Sequence, residues 1–325
     1  MQISIVFTGG TIGSRLHENG IGTDGEAPRE LLLRYREESG DETVFHTTAP
    51  YTLLSENLEF YHIALLTDAI KEALKSADGV IVTHGTDTLP YTAAALSYTL
   101  GLISKPVVLV SSNYILSDTR ANGVENFRAA VDFLRASREA HGVFVSYKNA
   151  GEPVRVLRAA RLLAHLAPTD TVNTLGGTVA TWENGMLTPQ PHNESGDEIP
   201  PLSAENLGKS GKRVLFLRAH PDMCFPTLKR DIAAVLLEAY HSGTLPTATK
   251  ALRAFAKRAK DKGVPVFVAG ITGEATYESA NAYHALGITP LPPLSPVAAY
   301  LKLCLALAND LDPNQILPRP LGGDL

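Results

Sequence analysis

Cysteine is scarce in this sequence, positive charge is not in excess, and no apolar run approaches the length of a membrane span. Each shortage excludes a class of protein. Two cysteines, Cys224 and Cys304, cannot build a disulfide framework, so a reducing, cytoplasmic setting is expected. A net charge of -5, with no long basic stripe, leaves no footprint for nucleic acid. A membrane span needs about 18 or more consecutive apolar residues, and none is found. The opening "MQISIVF" has no basic region ahead of it and is too short for a signal peptide, so it reads as a first strand. The histidines His84, His165, His192 and His220 are scattered, with no H-E-x-x-H and no C-x-x-C, so no metal and no cofactor are expected.

What is present suits a soluble globular protein: 44% apolar and 19% charged residues in a chain of 325, long enough for two domains. Six β-branched runs recur, "QISIVFT" (2–8), "DGVIVTH" (78–84), "PVVLVSS" (106–112), "GVFVSYK" (142–148), "RVLFLRA" (213–219) and "PVFVAGI" (265–271). Continuous apolar runs of this length suit strands buried on both faces of a parallel sheet. Between them lie amphipathic stretches, clearest at 57–77 and 122–137. The alternation predicts an α/β protein of two domains. The larger, N-terminal domain (1–190) is a doubly wound, mostly parallel sheet, and the smaller α/β domain spans 212–325. The Pro-, Ser- and Gly-rich segment 191–211 reads as a linker.

In such sheets ligands bind beyond the carboxyl ends of the strands. Four polar clusters should therefore converge on one edge: Thr8-Gly9-Gly10-Thr11, Thr83-His84-Gly85-Thr86-Asp87-Thr88, Ser111-Ser112-Asn113, and "LLSEN" (53–57). The glycine pair has three readings. A dinucleotide fingerprint fails because Thr8 holds its first position. A plain tight turn is the bland reading. The third is that the glycines clear space for a substrate and Thr11 faces it. A threonine hydroxyl attacks only when a neighbour removes its proton. Thr86, Asp87 and Thr88 precede Pro90 and could simply cap a helix. Placed beside Thr11, an aspartate could instead anchor an ammonium group, while the helix start holds a carboxylate or oxyanion.

"TGGTIGS" together with "VTHGTDTLPYTAAALS" resembles the bacterial-type L-asparaginase family, with both signature motifs in order. "KPVVLVSSNYILSDTRANGVENFRAAV", "FLRAHPDM" and "GITPLPPLSPVAAYLKLCLALANDLDPNQI" extend the resemblance over the rest of the chain. The resemblance implies a nucleophilic Thr11 that cleaves a side-chain amide through an acyl-enzyme and releases ammonia. It implies a Thr86–Asp87 pair with Asp87 gripping the substrate amine, and Ser55 holding the carboxylate. Gly10, Gly85, Glu56 and Asn113 complete the expected substrate-binding set. Sites at a subunit junction imply a homodimer or homotetramer, with Glu278 and Asn281 as polar residues that a neighbour could lend, or else as an exposed helix start.

The chain departs from the family pattern in three places. The loop after the first signature, 14–28, has no tyrosine; Ile21 falls near the expected place and Tyr35 is the nearest tyrosine. The lysine that serves the second threonine falls at Val156 in one register and Ala164 in another. Arg158, on the same strand face as Val154 and Val156, is the expected replacement cation, although arginine cannot act as a base; Lys148 is a further candidate. Glu56 stands where a glutamine or serine is common. Non-catalytic binding of an amino acid or small amide is the alternative function. A component of a transfer-RNA amidotransferase ranks lower, because that role usually brings an extra N-terminal module.

Overall fold

The computed structural model describes residues 1–192, 195–271 and 277–325. The first sheet has eight strands: β1 (Ile3–Phe7), β4 (His46–Thr48), β5 (Gly79–Thr83), β6 (Val107–Val110), β7 (Val143–Lys148), β8 (Val154–Arg158), β9 (Thr178–Glu183) and β10 (Met186–Pro189). Their order across the sheet is β10-β9-β8-β7-β6-β5-β1-β4. From β4 to β7 the pairing is parallel, whereas β8, β9 and β10 are added antiparallel to their neighbours. Four of the expected strands form this parallel centre.

Alternation along β1 explains why both faces are covered. Ile3, Ile5 and Phe7 pack under the helices α1 (Ala27–Ser39) and α4 (Gly123–Ala136). Val6 instead packs with α2 (Phe60–Ala73) and α3 (Leu89–Leu100). A parallel strand sandwiched by helices buries every side chain, and the whole of β1 and β5 is buried.

The segment 14–28, expected as a loop, is largely a hairpin. Strands β2 (Ser14–His17) and β3 (Gly20–Thr23) pair antiparallel, with Leu16 opposite Ile21. Arg15 ties the hairpin to α1 through Glu30 at 3.0 Å.

The second sheet is fully parallel, in the order β11 (Val214–Arg218), β12 (Ala234–Glu238), β13 (Val266–Ala269), β14 (Ile288–Pro290). One core joins the two sheets' helices: Ala94, Ala95 and Tyr98 of α3 pack with Leu301, Cys304 and Leu305 of the helix Pro296–Ala308. Ile199, Leu202 and Leu207, in the Pro-rich connecting segment, are buried in that same core. At the carboxyl edge, both sheets leave loops free to build a site.

Candidate active site

Three backbone segments meet at the carboxyl ends of β1 and β5. Gly10 has φ +73°, and a Cβ there would lie 2.3 Å from the Gly85 nitrogen. A Cβ on Gly85 would lie 2.4 Å from Ser55 Oγ. Only glycine permits such approaches. The residues that follow the two touching glycines are Thr11 and Thr86, both half-buried. Ser55 is buried, and its backbone carbonyl accepts a 3.0 Å hydrogen bond from the Thr88 hydroxyl. The Gly10 amide donates to the Leu53 carbonyl at 2.9 Å, which locks "LLSEN" to the first glycine turn.

The floor under this junction is a chain of buried hydrogen bonds. The Thr8 hydroxyl donates to the Thr83 carbonyl at 2.7 Å, and the Ser111 hydroxyl to the His84 carbonyl at 2.7 Å. Asn126 continues it by donating to the Ser111 carbonyl at 2.9 Å. His84 lies next to the Gly85 carbonyl, 2.8 Å from its Nδ1, an acceptor that calls for a proton on that nitrogen. Burial pushes its pKa down to about 4, so the ring is neutral at pH 7. It acts as scaffold, holding Gly85 where Thr86 must start.

The capping alternative for the second motif does not hold at the helix itself. Thr88 is the residue before α3, and no side-chain cap bond forms there. Its hydroxyl goes across to Ser55 instead. Among the described residues no hydrogen bond engages the side chains of Thr86 or Asp87, and Asp87 is exposed. These two polar groups stand free just ahead of the first turn of α3.

One cavity borders the junction and a second lies between the two sheets. The first, of about 660 Å³, lies between the hairpin, α1 and β4 and reaches Gly9, Gly13 and Thr83. The second, of about 340 Å³, is lined by Tyr91, His165, Arg218, Glu238 and His241 among others. Among the described residues, no group of three His, Cys, Asp or Glu side chains could hold a metal. None of the described helices is long and apolar enough to cross a membrane.

Residues 2–183, more than half of the chain, match the family described as Asparaginase, N-terminal. The chain belongs to the asparaginase family. It is 27% identical to L-asparaginase 1 of Escherichia coli K12 over 332 residues, covering 97% of this chain and 94% of that one. It is 25% identical to the L-asparaginase of Thermococcus kodakarensis over 340 residues, covering 100% of this chain and 99% of that one. Its fold matches the solved structure of the thermostable L-asparaginase from Thermococcus kodakarensis with a TM-score of 0.80 at 22% identity, over 100% of this chain and 99% of that one.

Within this asparaginase-family frame several expected residues fall elsewhere. Arg158 pairs with Phe144 near the amino end of β7, because β8 runs antiparallel. Its guanidinium stacks on the Phe144 ring at 4.2 Å and donates to the His141 carbonyl at 2.7 Å. That is the edge of the sheet opposite Thr11 and Thr86, so Arg158 does not replace a cation in the cleft. Tyr35 does not replace the missing tyrosine either. It is buried in α1 between Phe45 and Phe127, with its hydroxyl bonded to Asp41. Lys148 does lie at the carboxyl edge, but Glu125 holds its ammonium at 2.8 Å. Asn113 is engaged in loop closure: it exchanges hydrogen bonds of 3.0 and 3.1 Å with Asn122. Glu56 is exposed in the short turn Ser55–Asn57. Glu278 and Asn281 lie on a four-residue helix that buries none of its side chains, and Thr276 lies outside the described residues.

One residue that reads in sequence as just another scattered histidine lies close to the site. His165, on the loop after the turn Ala159–Arg161, feels the negative charge of Asp87 and of Asp170. Burial outweighs both and holds its pKa below the ordinary imidazole value. In sequence it is marked only by following Ala164, where one register puts the family's lysine.

Proposed function

We propose that this asparaginase-family protein is an amidohydrolase that cleaves the side-chain amide of asparagine or a related small amide. The convergence of Thr11, Thr86, Asp87 and Ser55 around the Gly10–Gly85 contact carries this reading. The Thr11 oxygen bonds to the amide carbon, the carbon–nitrogen bond breaks, and ammonia leaves with the hydroxyl proton. Water then splits the threonyl ester, releasing the acid and restoring the hydroxyl. Asp87, exposed and unengaged, anchors the substrate ammonium, and the Ser55 hydroxyl receives the carboxylate. The amides at the start of α3 stabilise negative charge that develops on the carbonyl oxygen. The exposure of Asp87 suits a homodimer or homotetramer in which a neighbouring copy closes the cleft. The free thiols Cys224 and Cys304 suit a cytoplasmic protein.

Ammonia release over a panel of asparagine, glutamine and simple amides tests the reading, with Thr11→Ala expected to abolish it. Retention of activity by that variant would overturn Thr11 as nucleophile. The position of Arg158 favours a second reading, a protein that binds a small amide without turnover. Thermal stabilisation by asparagine with no ammonia release would select it.

A further inference from the structure

A threonine hydroxyl at Thr86 can pass protons in this reaction only if a base stands behind it. Three cations around the expected lysine positions, Val156 and Ala164, fail that requirement. Arg158 faces the opposite edge, and no arginine gives up its proton at neutral pH. Arg161 donates to the Gly323 and Leu325 carbonyls at 2.8 Å each, which pins the C-terminal tail. Lys148 is held by Glu125.

His165 is the remaining candidate for that base. It lines the interdomain cavity together with Tyr91, which lies one helical turn after Asp87 in α3. Its Nε2 is buried and has no hydrogen-bond partner among the described residues. A buried ring nitrogen left without a partner is costly unless something in the working complex engages it. We propose that His165 is the positioning residue that holds the proton for Thr86. This rests on the amidohydrolase reading above.

The proton count closes in both halves of the reaction. As Thr11 attacks, its proton moves to the Thr86 oxygen, while the Thr86 proton moves to an imidazole nitrogen. When the carbon–nitrogen bond breaks, the same path returns a proton to the departing nitrogen, so ammonia leaves neutral and the imidazole is neutral again. In the second half, water gives up its proton along this path, and the restored Thr11 hydroxyl takes it back. The charged groups that face His165 set the pH at which it works. Asp87 from the start of α3 and Asp170 from its own loop favour the imidazolium. Arg218, Glu238, Tyr240 and His241 line the cavity from the second domain. Burial prevails, which leaves the ring neutral and able to accept a proton.

His165→Asn keeps a compact polar side chain and tests the assignment. Relative to wild type, kcat should fall by about 10²–10⁴-fold with little change in KM. The acid limb of the wild-type pH profile, where protonation of His165 removes the base, should vanish. Added imidazole should restore part of the activity of His165→Ala. A His165→Asn enzyme with wild-type kcat and an unchanged acid limb would overturn the assignment. So would a loss accompanied by a lowered melting temperature and no imidazole rescue, which describes a structural residue. NMR titration gives a readout free of turnover: Asp87→Asn should lower the His165 pKa further, and an unmoved value overturns the juxtaposition. Activity surviving in Thr11→Ala would instead overturn the amidohydrolase reading, so the two failures are distinct.

Discussion

Gly10 and Gly85 touch backbone to backbone, and no side chain fits between them: a Cβ on Gly10 would lie 2.3 Å from one Gly85 backbone atom and 2.4 Å from another. The two motif loops are therefore held together by what they lack. Gly10→Ala must separate them, and its φ of +73° adds strain for any side chain. The expected cost is about 1–3 kcal/mol of stability, as for other overpacked positions. If Thr11 and Thr86 act together, ammonia release should fall much further than that loss implies, because the substitution moves their two loops apart. Denaturant unfolding set beside the activity assay checks it; a stable, fully active Gly10→Ala would remove the basis of the site.

Asp87 presents the opposite case. It is exposed and bonded to nothing among the described residues, so Asp87→Asn should leave stability within about 0.5 kcal/mol of wild type. If it anchors the substrate ammonium, KM for an amino-acid amide should rise sharply. Amides without an ammonium group should be affected little. An equal loss on both substrate types would assign Asp87 to the chemistry instead of to binding.

Arg158 is the natural choice for a catalytic cation by sequence, and its location predicts a different phenotype. Arg158→Ala removes the stacking on Phe144 and the bond to the His141 carbonyl, at a cost of about 1–3 kcal/mol. Its kcat should equal that of wild type at temperatures where both are folded. A variant of undiminished stability with a collapsed kcat would contradict that location.

Arg158 also shows how far the sequence can be read. The period of two puts Val154, Val156 and Arg158 on one strand, as the structure does, but periodicity carries no direction. The antiparallel course of β8 turns its last residue toward the amino edge. The parallel centre is legible because strands covered on both faces must be continuously apolar. The edge strand β10, Met186–Pro189, reads instead as the approach to a linker, because its proline is tolerated only where a ladder bond is not needed. Strand β12, within "DIAAVLLEAY", is a short apolar run that periodicity alone cannot separate from a helix. The two threonine motifs are legible because close backbone approach demands glycine at fixed places. His165 is marked only by its place after Ala164, because the cavity it lines with Tyr91 forms only once its loop and α3 are folded.

His84 predicts how the scaffold under the site responds to acid. In the folded protein burial holds its pKa at about 4, whereas an unfolded imidazole titrates near 6.5. Between these values the unfolded chain binds more protons than the native one, so stability must fall as pH drops from about 6.5 to about 4. Below the folded value the ring charges in both states and this contribution levels off. The full effect is on the order of 3 kcal/mol. His84→Gln, which keeps a side-chain donor for the Gly85 carbonyl, should flatten the stability curve in that window. Urea midpoints measured at steps between pH 7 and pH 4 would show it. An identical acid slope in wild type and variant would mean that the imidazole is not the group that titrates.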